Sequence, residues 1–243
     1  MIAAFFSYIE GSIKRTVGKL RHCLPPKFPG RFQAYSYTLP DRYPWLFEFA
    51  RRHIPDSTAI RLLSFGCSRG DEVFSLRKYF TKAAIKGIDI DPRNIAVCKA
   101  RLAFSRSRSI GFGVAATTNG EMSEIYDAIF CLAVLCLGDL TVSGAQRSDP
   151  YLYFEDFDRV VSDFGRCLKP GGLLFLHVTN FRFCDSSVAG QFDILLEADA
   201  AMMSPDLLFD RDNELLKGER YYPVVFRKRH PPAAGKSGPC IES

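Results

Sequence analysis

The chain has 243 residues, with 32 Lys and Arg against 27 Asp and Glu, for a formal net charge of +5 at neutral pH. That length suits one α/β domain with its own core, with no need of disulfide or metal staples. An apolar share of 47% and a charged share of 24% exclude a globally disordered chain. The charge is uneven: residues 1–31 carry +5, residues 227–243 carry +3, and the body between them carries −3. A mildly acidic body argues against a broad phosphate-tracking surface, so no nucleic-acid partner is expected.

Residues 1–30 read as a basic amphipathic helix followed by a linker. Ile2, Phe5, Phe6, Ile9, Ile13, Val17 and Leu20 recur at helical spacing, with Lys14, Arg15 and Lys19 near the end. Two readings stay open: the helix packs on its own domain, or residues 1–24 meet a membrane surface or a partner protein. Pro25, Pro26, Pro29 and Gly30 then break the chain. Glu10 interrupts the apolar stretch and the basic residues follow it, which is the wrong order for a secretory signal. No apolar run is long enough to span a bilayer. The eight cysteines form no CxxC pair and the four histidines lie far apart, so no metal site is expected. Cysteines inside apolar runs read as reduced core residues of a cytoplasmic protein.

From residue 31 to 229 the pattern is that of one domain. Phe32, Tyr35, Tyr37, Arg42 and Tyr43 form an aromatic, extended segment, and a helix follows over about 44–53, with Pro44 in its first turn. Apolar runs then alternate with helical spacing: strands over 60–65, 84–90, 109–115, 126–132 and 173–178, and helices over 71–80, 92–105 and 153–168. Lys169-Pro170-Gly171-Gly172 reads as the end of the last helix and a turn. The polar stretch 138–151 reads as a substrate-side loop. Beyond residue 186 the spacing predicts a helix over 188–203, with 207–209 and 224–227 as candidate strands, and residues 230–243 read as a disordered tail. Alternating strands and helices imply a doubly wound, mostly parallel sheet.

The informative segment is Ser64-Phe65-Gly66-Cys67-Ser68-Arg69-Gly70-Asp71-Glu72, a glycine turn between a strand and a helix. Its G-x-x-x-G spacing is not the G-x-G-x-x-G of dinucleotide binders. Asp71 and Glu72 occupy the helix start, where a pyrophosphate needs free N–H groups; two carboxylates there favour a ligand carrying an ammonium or sulfonium charge instead. Asp89 falls at the end of the second strand, about 20 residues on, where an acid accepts hydrogen bonds from ribose hydroxyls. Asp91, before Pro92, reads as the N-cap of the next helix.

Together these segments resemble the class I S-adenosylmethionine-dependent methyltransferases over about residues 58–180. The first motif is similar to that of the chemotaxis-receptor methyltransferase branch. Tyr126-Asp127-Ala128-Ile129-Phe130-Cys131 resembles the fourth-strand motif, and Leu168-Lys169-Pro170-Gly171-Gly172-Leu173-Leu174 the segment before the fifth strand. The resemblance implies a seven-stranded Rossmann-like sheet whose last two strands form an antiparallel hairpin. It also implies S-adenosylmethionine as cofactor. Gly66, Cys67, Ser68 and Gly70 would pass beside its methionine part, and Glu72 would meet its amino group or order water near it. Asp89 would hold the ribose and Ile90 would lie on the adenine. Ala116 and Thr117 would flank the adenine edge, and Leu132 and Ala133 would line the transfer cleft. Leu132-Ala133 stands where the chemotaxis branch has an Arg-Asn pair, so that branch's substrate does not carry over.

His177 and Arg182, at the carboxyl edge of the fifth strand, are the candidate catalytic residues: a general base and a clamp for an acidic acceptor. Their plainer readings are a hydrogen-bonded core histidine and an ion pair with Asp185. The expected activity is methyl transfer to an oxygen or nitrogen of a small molecule or glycan. A catalytically idle cofactor-binding adaptor and a nicotinamide-dependent enzyme are the alternatives.

Overall fold

A computed structural model describes residues 32–231, apart from 34, 35, 37, 106 and 108. The expected basic helix, the linker, Tyr35 and Tyr37, and nearly all of the expected tail lie outside the described residues. Among those described, no helix is long and apolar enough to cross a membrane.

Five helices and seven strands follow in order: α1 (Pro44–His53), β1 (Arg61–Phe65), α2 (Asp71–Tyr79), β2 (Ala84–Asp89), α3 (Pro92–Ala103), β3 (Ile110–Val114), β4 (Tyr126–Leu132), α4 (Gly138–Ser143), α5 (Phe154–Cys167), β5 (Leu168–His177), β6 (Phe192–Glu197) and β7 (Pro223–Lys228). They build one sheet in the order β3-β2-β1-β4-β5-β7-β6. The first five strands are parallel and β7 runs antiparallel to both β5 and β6. The expected Rossmann-like sheet with its antiparallel hairpin is therefore present.

Strand alternation sends side chains to two cores. On β4, Ile129 and Cys131 join one core, while Ala128, Phe130 and Leu132 join the other. The first core is closed by α5, which buries Phe157, Val161 and Phe164 at helical spacing. The second is closed by α1, α2 and α3 through Leu46, Phe47, Leu76 and Ile95. Phe130 and Phe175 are register partners on β4 and β5, and their rings stack with centroids 4.4 Å apart. Covering both faces is what lets the parallel strands be apolar throughout.

Four expectations are corrected. Residues 188–203 hold β6 between short 3₁₀ turns instead of a helix. Val188, Phe192 and Leu196 mimic a helical stripe, but β7 offers an open edge that captures the backbone. Residues 207–209 are no hairpin strand: Phe209 makes only isolated bridges to Phe181 and Leu215. Lys169–Gly172 does not turn the chain. It lies within β5 as a bulge, where pairing jumps from Tyr126↔Leu168 to Ala128↔Leu173. The stretch 138–151, read as a loop, also contains the short helix α4, ended by Gly144 in the left-handed region.

Candidate active site

The carboxyl ends of β1, β2 and β4 open onto a cleft of about 980 Å³, its mouth included. Ligands bind at this edge in open α/β sheets. The floor is the loop after β1. Cys67 N donates to Ile88 O at 2.9 Å and Gly70 N to Cys67 O at 2.9 Å, which folds the loop tightly. Gly66 has φ +69°, and a Cβ there would stand 2.6 Å from a Val134 methyl. Gly70 has φ +88° and serves as the N-cap of α2. Neither position admits a side chain without displacement. Ser68, also left-handed at φ 48°, turns its backbone N–H onto Asp89.

Asp89 is buried and organises the far wall. Its Oδ2 accepts from Ser68 N at 2.8 Å; its Oδ1 accepts from Asp91 N at 2.8 Å and from Asn94 Nδ2 at 3.1 Å. Three donors fix the carboxylate in place and leave acceptor capacity toward the cleft. Asp91 does cap α3: its side chain accepts from Arg93 N at 2.8 Å.

The two acids at the start of α2 have separate fates. Asp71 accepts from Arg101 Nη1 at 2.7 Å and is spent on that ion pair. Glu72 lines the cleft, and its Oε1 is buried with no hydrogen-bond partner. Burial pushes the Glu72 carboxyl up to about 8, against the lowering pull of the Ser64 hydroxyl and the Arg42 guanidinium. Ser64 Oγ lies close enough to act on that charge, yet neither oxygen has a partner in good hydrogen-bond geometry.

The described residues between 32 and 43 form a strap that roofs the cleft. Gln33 Nε2 donates to Ala133 O and, at 2.9 Å, to Cys136 Sγ. Ser36 accepts from Ser68 Oγ at 3.3 Å and from Asn94 Nδ2 at 2.9 Å. Asp41 N donates to Ser75 Oγ at 2.9 Å, and the Asp41 carboxylate pairs with Lys78 at 2.5 Å. The strap thus fastens to the ends of β4, to α3 and to α2. Four carboxylates (Asp41, Glu72, Asp89, Asp91) and one guanidinium (Arg42) line the cleft among the described residues. The excess of negative charge suits a cationic ligand.

Of the residues singled out from the sequence, Gly66, Cys67, Ser68, Glu72, Asp89, Ile90, Ala116 and Leu132 come together around this cleft, with Arg42, Tyr43 and Ala133. Gly70 lies just behind the loop and Thr117 beyond the rim, its Oγ1 accepting from Asn119 N at 3.4 Å. His177 ends β5 next to Ala133, whose N–H donates to its carbonyl at 2.7 Å. Its ring is buried under the edges of Tyr43 and Trp45, with centroids 4.9 and 5.6 Å away. Burial first and Arg42 second lower the His177 pKa to about 4, and Nδ1 has no partner. The hydrogen-bonded core histidine is therefore only half right: the ring is core, but Nδ1 is unpaired. Arg182 lies outside the cleft, with Nε 2.7 Å from Asp185 and Nη1 2.5 Å from Glu219. Gln33, Ser36 and Asp41 were not singled out. Their partners lie 32 to 103 positions away, so no local spacing reveals them.

The family profile described as "Methyltransferase domain" matches residues 56–222. A search of curated proteins finds no match. Among solved structures, phosphoethanolamine N-methyltransferase 2 of Haemonchus contortus with S-adenosyl-L-methionine is 20% identical, with a TM-score of 0.44, over 58% of this chain and 29% of that one. Geranyl diphosphate C-methyltransferase of Streptomyces coelicolor is 17% identical, with a TM-score of 0.39, over 54% of this chain and 43% of that one. The chain thus spans less than half the length of these proteins.

Proposed function

The chain belongs to this methyltransferase family, and from that premise we propose that it transfers a methyl group from S-adenosylmethionine to an oxygen or nitrogen of a small-molecule acceptor. The observation that carries the reading is the buried, unpartnered Oε1 of Glu72 in an acid-lined cleft floored by the 66–70 loop. An orphaned buried carboxyl costs free energy unless something completes it. An ammonium group does so, and its charge holds Glu72 ionised. Asp89 is pre-set to accept from ribose hydroxyls, and Ile90 offers an apolar face for a purine. S-adenosylmethionine, when bound, supplies a methyl group activated by a sulfonium.

The chain's own contribution is placement and dryness. The strap excludes water, and the ends of β4 and β5 fix the direction of approach. His177 stays neutral across the physiological range, and a pKa of about 4 makes it a weak proton acceptor. We therefore assign it to holding Tyr43 and Trp45, and Arg182 to holding the loop after β5, in place of the base and clamp expected from sequence. The acceptor is a small molecule because the cleft is roofed and acid-lined, a poor seat for a nucleic acid. The chemotaxis-receptor substrate is not part of this reading. Titration calorimetry with S-adenosylhomocysteine tests it: micromolar binding is expected, and its absence at high micromolar concentration overturns the reading.

A further inference from the structure

The floor of the cleft rests on two cysteines that methyl transfer does not use. Cys67 lies in the loop and Cys98 on α3, and both are buried and reduced. Their thiols converge on one acceptor: Cys98 Sγ lies 3.2 Å and Cys67 Sγ 3.8 Å from the Ser68 carbonyl oxygen. The neighbouring glycines hold them in. A Cβ on Gly87 would come within 2.9 Å of Cys67 Sγ, and one on Gly70 within 3.1 Å of Cys98 Sγ. Core cysteines placed only for volume have no reason to meet at a turn that holds three left-handed residues, Gly66, Ser68 and Gly70.

The two sulfurs differ. The neighbouring Cys67 thiol, and then Arg101, pull the Cys98 thiol below its ordinary range, while the Cys98 partner and burial push Cys67 up. Arg101 is held there by Arg69 O and Asp71, with its guanidinium over the Phe74 ring. Asp89 and Asp71 oppose the Cys98 thiolate, and Asp89 and Glu72 oppose that of Cys67. A thiolate with a second thiol alongside is the arrangement that oxidation converts to a disulfide. Cys67 lines the cleft, which gives a small oxidant its route.

We propose that Cys67 and Cys98 are a redox modification site, closed to a disulfide by hydrogen peroxide, and that closure releases the cofactor loop from Asp89. The Cys98 thiolate attacks the peroxide, the O–O bond breaks, and hydroxide leaves as water. Cys67 then attacks the resulting sulfenic sulfur, and a second water leaves with its proton. Each sulfur gives up one electron, and the peroxide is reduced to two waters. Bonded sulfurs stand about 2.05 Å apart, so the loop must be drawn toward α3. The Ser68 N–H, one residue from Cys67, cannot keep its 2.8 Å bond to Asp89 through that shift.

The consequence for cofactor affinity rests on the function proposed above; the disulfide itself does not. Full-length protein, first reduced, is treated with hydrogen peroxide and mapped by mass spectrometry. A peptide pair joining positions 67 and 98, two hydrogens lighter than the dithiol, is expected, and dithiothreitol reverses it. Titration with S-adenosylhomocysteine before and after is expected to show affinity falling by at least about tenfold, the loss of one charge-assisted hydrogen bond. Cys98→Ala is expected to keep the affinity of the reduced protein and lose the response. Thiols that stay reduced or oxidise singly overturn the proposal, as does a 67–98 link with unchanged affinity. Failure of the reduced protein to bind the probe at all, with the link still forming, counts against the cofactor reading instead.

Discussion

The two ends of the carboxyl edge treat their polar groups in opposite ways. Around the β1–β2–β4 cleft, Asp41 Oδ1, Ser64 Oγ and Glu72 Oε1 are buried without partners, and His177 Nδ1 lies the same way beside them. Around the carboxyl end of β5, charges are paired: Arg182 with Asp185 and Glu219, and Arg147 with Asp149 and Glu214, with Ser186 Oγ a buried exception. The same edge of one sheet thus holds a region of paired charges and a region where several unpartnered polar atoms gather. Folding tolerates unsatisfied groups only where the rest of the structure over-determines them. Under the function proposed above, a bound cofactor would complete them.

That contrast can be broken, beginning with the largest effect. Asp89→Ala removes the proposed ribose acceptor and the partner of three internal donors. It is expected to weaken S-adenosylhomocysteine binding by about 2–4 kcal/mol; calorimetry showing equal affinity would sink the role of Asp89. Glu72→Gln is expected to weaken binding by about 1–3 kcal/mol while making the unliganded protein more stable above neutral pH. The sign follows from the raised carboxyl. Its neutral form favours the fold fully below the ordinary carboxylate pKa, and that contribution is lost as pH rises through about 8. Melting temperature measured from pH 5 to 9 should fall in the parent and fall less in Glu72→Gln; parallel curves would refute it. Bound cofactor should flatten the parent's slope, because an ammonium partner removes the cost of ionising Glu72.

In the region of paired charges the effects are smaller. Arg182→Gln breaks two partly exposed ion pairs and is expected to cost about 1 kcal/mol of stability by denaturant unfolding, with no change in S-adenosylhomocysteine affinity. A tenfold loss of affinity would return Arg182 to the site. His177→Phe sharpens the border between the two regions. It preserves the aromatic packing under Tyr43 and Trp45 and removes the orphaned nitrogen. It should leave turnover within about threefold if the ring only shapes the strap, whereas a loss of a hundredfold would mark it as a proton acceptor.

Much of the nucleotide-side wall is legible in the chain itself. Glycines at 66 and 70 next to a strand demand a tight turn, and Asp89 and Asp91 separate by their neighbours: one ends a strand, the other precedes a proline. Asp71 and Glu72 do not separate, since both sit in a helix first turn. Only Arg101, 30 positions on, takes Asp71 and leaves Glu72 to the cleft. The strap is the larger omission. Its aromatic residues drew attention, but Gln33, Ser36 and Asp41 do the fastening, through partners far along the chain.

The sequence by itself determined the alternation of strand and helix, and from it the parallel sheet and the edge where a ligand binds. These are local matters of period and handedness, carried by side chains a few positions apart. Tertiary structure alone decided that residues 192–197 pair with β7 instead of coiling, and that Lys169–Gly172 bulges within a strand. It also decided which buried acid goes unpaired and that two cysteines meet beneath the loop. Those outcomes depend on which distant group arrives first to satisfy a backbone edge, a charge or a thiol, and such competition is settled only when the chain is folded.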